Sequence, residues 1–169
     1  MKNKSQRKGF TIIEVVLVLA IAGLIFLMVF VALPALQRSQ RDTQRRDDMA
    51  RFLSQLNQRQ ANNNGKVPSD GLTSGQAAAY TTFIDEYLKV GGDTFSDPST
   101  GSDYHIYKFT KCESGSCTST TTDDGAKMGE ISVYSNAKCD GESPTYVQGD
   151  RKIAITLKLE GAGIYCGNN

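Results

Sequence analysis

One feature constrains this chain more than any other: an apolar run from Val15 to Leu36. Across its 22 residues no side chain is charged, and only Gly23 and Pro34 are neither aliphatic nor aromatic. As a helix rising about 1.5 Å per residue, the run would span roughly 33 Å, enough for the hydrocarbon core of a bilayer. A secretory signal has an apolar region of about 7–15 residues and ends at a small-residue cleavage site. Here the run is longer and Ala32-Leu33-Pro34-Ala35 makes a poor site, so a single membrane-spanning helix is the plain reading. Charge is segregated in the same way. Residues 1–9 hold Lys2, Lys4, Arg7 and Lys8 with no acid, a net +4, and the other 160 residues hold 15 bases and 18 acids, a net −3. The overall +1, with 39% apolar residues, therefore describes no part of the chain. It does exclude a disordered charged tail, a collagen-like repeat and a polytopic membrane protein. The 169 residues leave room for one small domain and an appendage.

Two details distinguish the run from a simple anchor. Glu14 stands between Ile13 and Val15 at its entrance. A carboxylate is costly inside a membrane and a plain anchor gains nothing from it, so a partner is expected. The second detail is the string Lys8-Gly9-Phe10-Thr11-Ile12-Ile13-Glu14, directly after the basic leader.

This string resembles the class III signal of type IV prepilins and pseudopilins: a basic leader ending in Gly, then Phe, an acid four residues later and a long apolar stretch. The resemblance covers roughly residues 1–60. It implies that a prepilin peptidase removes residues 1–9 by cutting between Gly9 and Phe10 on the cytoplasmic face, and N-methylates Phe10. It also implies that Glu14 neutralises the Phe10 amino terminus of a neighbouring subunit, a charge pair tolerable in low dielectric only when both members are present. The positive-inside rule does not decide orientation, because Arg38, Arg41, Arg45, Arg46 and Arg51 follow the run as closely as the leader precedes it. The resemblance places the leader inside and the C-terminal part outside.

The helix is expected to continue past the run. Residues 37–62 contain neither Pro nor Gly and are rich in Gln, Arg and Ala. Asp42 with Arg46 and Asp47 with Arg51 form i,i+4 pairs in the favourable order. Met49, Phe52, Leu53 and Leu56 make an apolar stripe at i, i+3, i+4 and i+7. Asn62-Asn63-Asn64-Gly65 and Pro68 stop it. From Phe10 to Ala61 one helix would be about 80 Å long, with residues 10–36 as its membrane or filament-core half and 37–62 as its amphipathic half. Arg38 to Arg59 reads as a solvated face or a set of inter-subunit ion pairs, because Asp42, Asp47 and Asp48 interrupt it. No specific nucleic-acid site is visible. Gly23 and Pro34 are its weak points, and the resemblance makes them candidates for local melting in a filament.

Residues 63–169 read as an α+β head. Tyr80, Phe83, Ile84, Tyr87 and Leu88 have helical spacing after Thr73 or Ser74 as N-cap, with Gly91-Gly92 closing a short second helix. Asp97-Pro98 opens a turn that Gly101 closes before Tyr104-His105-Ile106-Tyr107, a stretch also similar to one found in many pseudopilins and some pilins. Strands are expected at Tyr104–Thr110, Glu130–Tyr134 and Arg151–Glu160. In the last, Ile153, Ile155, Leu157 and Leu159 alternate with Lys152, Ala154, Thr156, Lys158 and Glu160. A three-stranded antiparallel sheet covering the Met49–Leu56 stripe would bury both.

Cys112, Cys117, Cys139 and Cys166 all fall in the head, as suits an oxidising compartment. Four cysteines allow three pairings. Cys112–Cys117 with Cys139–Cys166 is favoured: the first would staple the intervening loop and the second would tie down the C-terminal segment. Cys-x4-Cys with His105, the one histidine, is a poor zinc site, and His105 reads as a strand residue. Asp93, Asp97 and Asp103 cluster about a loop but lack the alternating pattern of a calcium loop, so turn-forming acids are the first reading and calcium the second. Ser116, Ser119 and Thr118–Thr122 form a polar loop where O-glycosylation is conceivable. No nucleophile–base arrangement or phosphate loop is visible, and no catalytic residue, cofactor or enzymatic role is expected.

The resemblance thus implies a filament subunit for adhesion or twitching motility. Its partners would be other copies of the chain, the prepilin peptidase, an assembly platform protein and, before assembly, the membrane. The rivals are a pseudopilin of a type II secretion or DNA-uptake machine, and a single-pass anchored binding domain.

Overall fold

The computed structural model describes residues 9–68, 78–113, 117, 127–149 and 151–169. The leader up to Lys8, the N-cap candidates Thr73 and Ser74, and the polar loop with Ser116, Ser119 and Thr118–Thr122 lie outside the described residues. The chain divides into two compact units, Met1–Gln37 and Arg38–Asn169.

One long helix, α1 (Ile12–Asn62), contributes to both. In the first unit its large apolar side chains are exposed among the described residues: Leu17, Leu24, Phe26, Met28 and Phe30 belong to a long series of exposed apolar residues. The most apolar stretch of 18 residues has a mean hydropathy of 3.2 with none of it buried, which makes α1 long and apolar enough to cross a membrane. The helix continues through Gly23 and Pro34.

In the second unit the same helix changes character. Met49, Phe52, Leu53 and Leu56 are buried, as their spacing requires, and are joined by Asp42, Arg45 and Gln60. It ends at Asn62 because Asn64 and Gly65 take left-handed backbone (φ 55° and 80°), and the Gly65 amide donates to the Gln60 carbonyl at 2.7 Å. A short helix, α2 (Ala78–Phe83), runs into one π-helical turn, Ile84–Leu88, where the Lys89 amide reaches back to the Ile84 carbonyl at 3.1 Å. Tyr80, Phe83, Ile84 and Leu88 are buried on this face, and Phe83 packs edge-on against Phe52 at 5.3 Å between centroids. Gly91 (φ 74°) closes the segment.

Among the described residues the unit also has six strands: β1 (His105–Lys111), β2 (Glu130–Ser135), β3 (Ala137–Asp140), β4 (Ser143–Tyr146), β5 (Ile153–Lys158) and β6 (Ile164–Asn168). The expected three-stranded antiparallel sheet is corrected to a four-stranded mixed sheet in the order β1-β2-β5-β6, with β3-β4 as a separate hairpin. Strand β1 runs parallel to β2, whereas β5 is antiparallel to both β2 and β6. A parallel pair needs a connection of a dozen or more residues, and the stretch between Lys111 and Glu130 is long enough.

The expected half-wet β5 is also corrected. Every residue from Ile153 to Leu157 is buried, including Ala154 and Thr156. Strand β5 sits between β2 and β6, and each sheet face has its own core. Ile153, Ile155 and Leu157 join Met49, Phe52 and Leu56 on one side. On the other, Ala154 packs with Tyr134, Ala137, Cys112 and Cys117.

Candidate functional site

Two constellations carry charge where an isolated helix or an ordinary core would not. The first is at the start of α1. Gly9 and Phe10 precede the helix and are exposed, Phe10 by 90%. Glu14 lies in the first turn, also exposed. The Thr11 amide donates to Glu14 Oε2 at 2.9 Å and the Thr11 hydroxyl donates to the same oxygen at 2.8 Å, while the Glu14 amide approaches Thr11 Oγ1 at 3.4 Å. This is a reciprocal capping box, satisfying amides that a helix start otherwise leaves without partners. Thr11 therefore caps the helix together with Glu14, a pairing not among the expected site residues. Its signal, Thr-x-x-Glu before an apolar run, was present in Thr11-Ile12-Ile13-Glu14.

The second constellation is in the head. Arg45 is the largest wholly buried side chain. Its Nε and Nη2 donate to Asp97 Oδ2 and Oδ1 at 2.7 and 3.0 Å, and Asp97 is equally buried. Nη1 donates to Asp42 Oδ1 at 2.7 Å and Nη2 to the Ser99 hydroxyl at 2.7 Å. Arg41 grips Glu160 with two bonds of 2.7 and 2.6 Å, and Glu160 stands 3.5 Å from Arg45 Nη1. The expectation that Arg38 to Arg59 is a solvated or inter-subunit face is thus corrected at Arg45. The expected i,i+4 pairs are corrected too: Asp42 pairs with Arg45 at i,i+3, and Arg51 bonds the Leu88 carbonyl and lies 3.5 Å from Asp93. Salt bridges at close quarters outcompete exposed helix pairs, which are worth only a few tenths of a kcal/mol.

Burial works against ionisation of Asp97, but hydrogen bonds from Arg45, from the Ser99 hydroxyl and from the Ser99 and Thr100 amides hold its carboxyl well below the usual range. Asp42 behaves alike: burial opposes the charge, and the Glu160 and Gly161 amides with Arg45 prevail and lower it. The Arg41 hydrogen bond chiefly lowers Glu160. Nearby Asp48 is raised by burial despite a 3.1 Å bond from the Tyr104 hydroxyl.

Of the loop acids weighed for calcium, Asp97 faces Arg45, Asp103 accepts from Lys89 at 2.7 Å, and Asp93 faces Arg51. Among the described residues no group of three His, Cys, Asp or Glu side chains is placed to share a metal ion. His105 is exposed on β1, 3.3 Å from Glu130 Oε1. Disulfides join Cys112 to Cys117 and Cys139 to Cys166, the latter linking β3 to β6.

No curated protein and no solved structure matches the chain significantly. Residues 4–30 match the prokaryotic N-terminal methylation motif, a segment that takes in the Gly9-Phe10 junction, the Thr11–Glu14 capping box and the exposed apolar helix as far as Phe30. That motif is the class III signal peptide of type IV pilins and pseudopilins, and the match is confined to residues 4–30.

Proposed function

We propose that the chain is a structural subunit, the major pilin, of a type IV pilus. It inserts with its leader in the cytoplasm, is cut after Gly9 and methylated at Phe10, and is then drawn from the membrane by an assembly platform into a homopolymer. Residues 10–36 bundle in the filament interior, 37–62 carry the head, and 63–169 form the filament surface, outside the cell. The observation that carries this reading is an acid, Glu14, on an apolar helix that is exposed among the described residues. In the bilayer that helix is solvated by lipid. In a filament its apolar surface is buried against other copies, and Glu14 meets the new Phe10 amine of a neighbour, which sets the stagger. The role is structural rather than catalytic.

N-terminal sequencing and mass spectrometry of the chain from sheared surface filaments test it. A methylated Phe10 in filaments supports the reading; an intact leader on a membrane-retained chain overturns it in favour of an anchored binding domain. The Asp97-Pro98 to Tyr107 stretch, similar to one in many pseudopilins and some pilins, supports a second reading as a pseudopilin of a secretion or DNA-uptake machine. A processed, methylated chain that never forms surface filaments would select it.

A further inference from the structure

The Arg45 guanidinium has five N–H donors, and five hydrogen bonds run from it to oxygens of Asp97, Asp42, Glu160 and Ser99. Those oxygens are also held from behind, by groups other than Arg45. Asp42 accepts the Glu160 and Gly161 amides, each at 2.8 Å. Asp97 accepts the Ser99 and Thr100 amides at 2.9 and 3.1 Å and the Ser99 hydroxyl at 2.6 Å. Arg41 fixes Glu160. The cage is thus assembled from α1, the Asp97–Gly101 loop and the turn between β5 and β6, and each wall has its own support. Three carboxylates face two guanidinium groups, so without Arg45 two negative charges stand uncompensated.

We propose that this cage is a guanidinium-binding site which the chain fills with its own side chain, and that filling it locks the Asp97 loop and the β5–β6 turn onto α1. The ligand class follows from the geometry. Asp97 presents both oxygens to one edge of the planar fork, while Asp42 and Ser99 take the remaining edges, an arrangement a spherical ion cannot exploit. Among the described residues no three acids are grouped so as to hold a metal ion. The site is independent of processing and filament assembly.

The test uses the full chain in detergent micelles with Arg45→Ala, read by thermal melting and by amide exchange at Glu160 and Gly161. The variant should melt roughly 10 °C or more below the wild type, since one partner of a buried ion pair is gone. Methylguanidinium, well below denaturing concentration, should raise its Tm and slow exchange at both amides, while calcium or sodium at matched ionic strength should not. The wild type should show no such rise. An Arg45→Ala protein as stable as wild type, indifferent to methylguanidinium, or equally responsive to calcium or sodium, overturns the proposal. If Arg45→Ala does not accumulate, Arg45→Lys decides: its ammonium has three donors for five oxygens and no fork, so its Tm should fall, and parity with wild type refutes the site.

Discussion

Arg45 and Asp97, 52 residues apart in sequence, meet edge to edge in the head with two parallel hydrogen bonds and no exposed atom on either side chain. A buried ion pair is a poor source of net stability compared with apolar packing, yet removing one partner leaves the other charge stranded. Asp97→Asn keeps the volume and removes the charge. We expect it to cost about 3–5 kcal/mol, measured by thermal or denaturant unfolding of the full chain in micelles. A loss below about 1 kcal/mol would place the pair among the ornamental salt bridges of protein surfaces.

The same carboxylates give the head a defined acid limit. Asp97, Asp42 and Glu160 all titrate below their ordinary values when folded. Each contributes stability that is present above its unfolded pKa of about 4 and is lost as pH falls through the lowered folded value. Asp48, raised by burial, has the opposite sign: its contribution is present below the unfolded pKa and is lost as pH rises through its folded value. Melting temperature should therefore be flat from neutral pH to about 5 and fall below about 4. Melts of Asp97→Asn across the same range should show a shallower acid limb, and an unchanged slope would assign acid unfolding to other groups.

What could be read from the residues was whatever repeats locally. Met49, Phe52, Leu53 and Leu56 declare a buried stripe by spacing alone, and Tyr80 to Leu88 do the same, although there the helix widens into a π turn that spacing does not reveal. The positions of β1, β2 and β5 were legible, whereas β3, β4, β6 and the pairing directions were not. A strand's own residues are equally consistent with a parallel or an antiparallel neighbour, and the short Lys- and Pro-containing β3 and β4 have no apolar alternation to announce them. Ala154 and Thr156 looked solvent-facing because small and β-branched polar residues suit either environment, and only the hairpin over them decides. Arg45 was hidden for a related reason. Among six arginines on one helix, the buried one is marked only by a partner in a distant loop, and long-range charge pairing has no period.

The two disulfides should differ in worth. Cys139–Cys166 closes a span of 27 residues and joins the hairpin to the edge strand β6, whereas Cys112–Cys117 closes only 5. By loop entropy the first is worth roughly 3–4 kcal/mol and the second about 2. Paired Cys→Ala substitutions, compared by denaturant unfolding, should reproduce that order. Equal losses would mean that the packing of Cys112 and Cys117 beside Tyr134 and Ala154 outweighs the entropy of the longer ring.

The capping box gives Glu14 a task distinct from the one proposed for it in assembly. Before assembly, the Thr11 amide and hydroxyl both reach Glu14 Oε2, which organises the first turn and keeps the carboxylate partly satisfied. On the proposed assembly route the same residue must also attract the Phe10 amine of another copy. Thr11→Val removes the hydroxyl but preserves shape and the backbone donor, so it should weaken the helix start by about 1 kcal/mol and reduce filament yield without abolishing it. Glu14→Ala removes both the cap and the counter-charge. Leader removal and membrane insertion should persist, because neither needs a second subunit, while sheared filaments should vanish. Immunoblots of sheared and membrane fractions, with the processed and unprocessed chains separated by mass, distinguish these outcomes. Filaments of normal abundance from Glu14→Ala cells would mean that the acid serves the helix alone, and the stagger between subunits would have to come from contacts between heads.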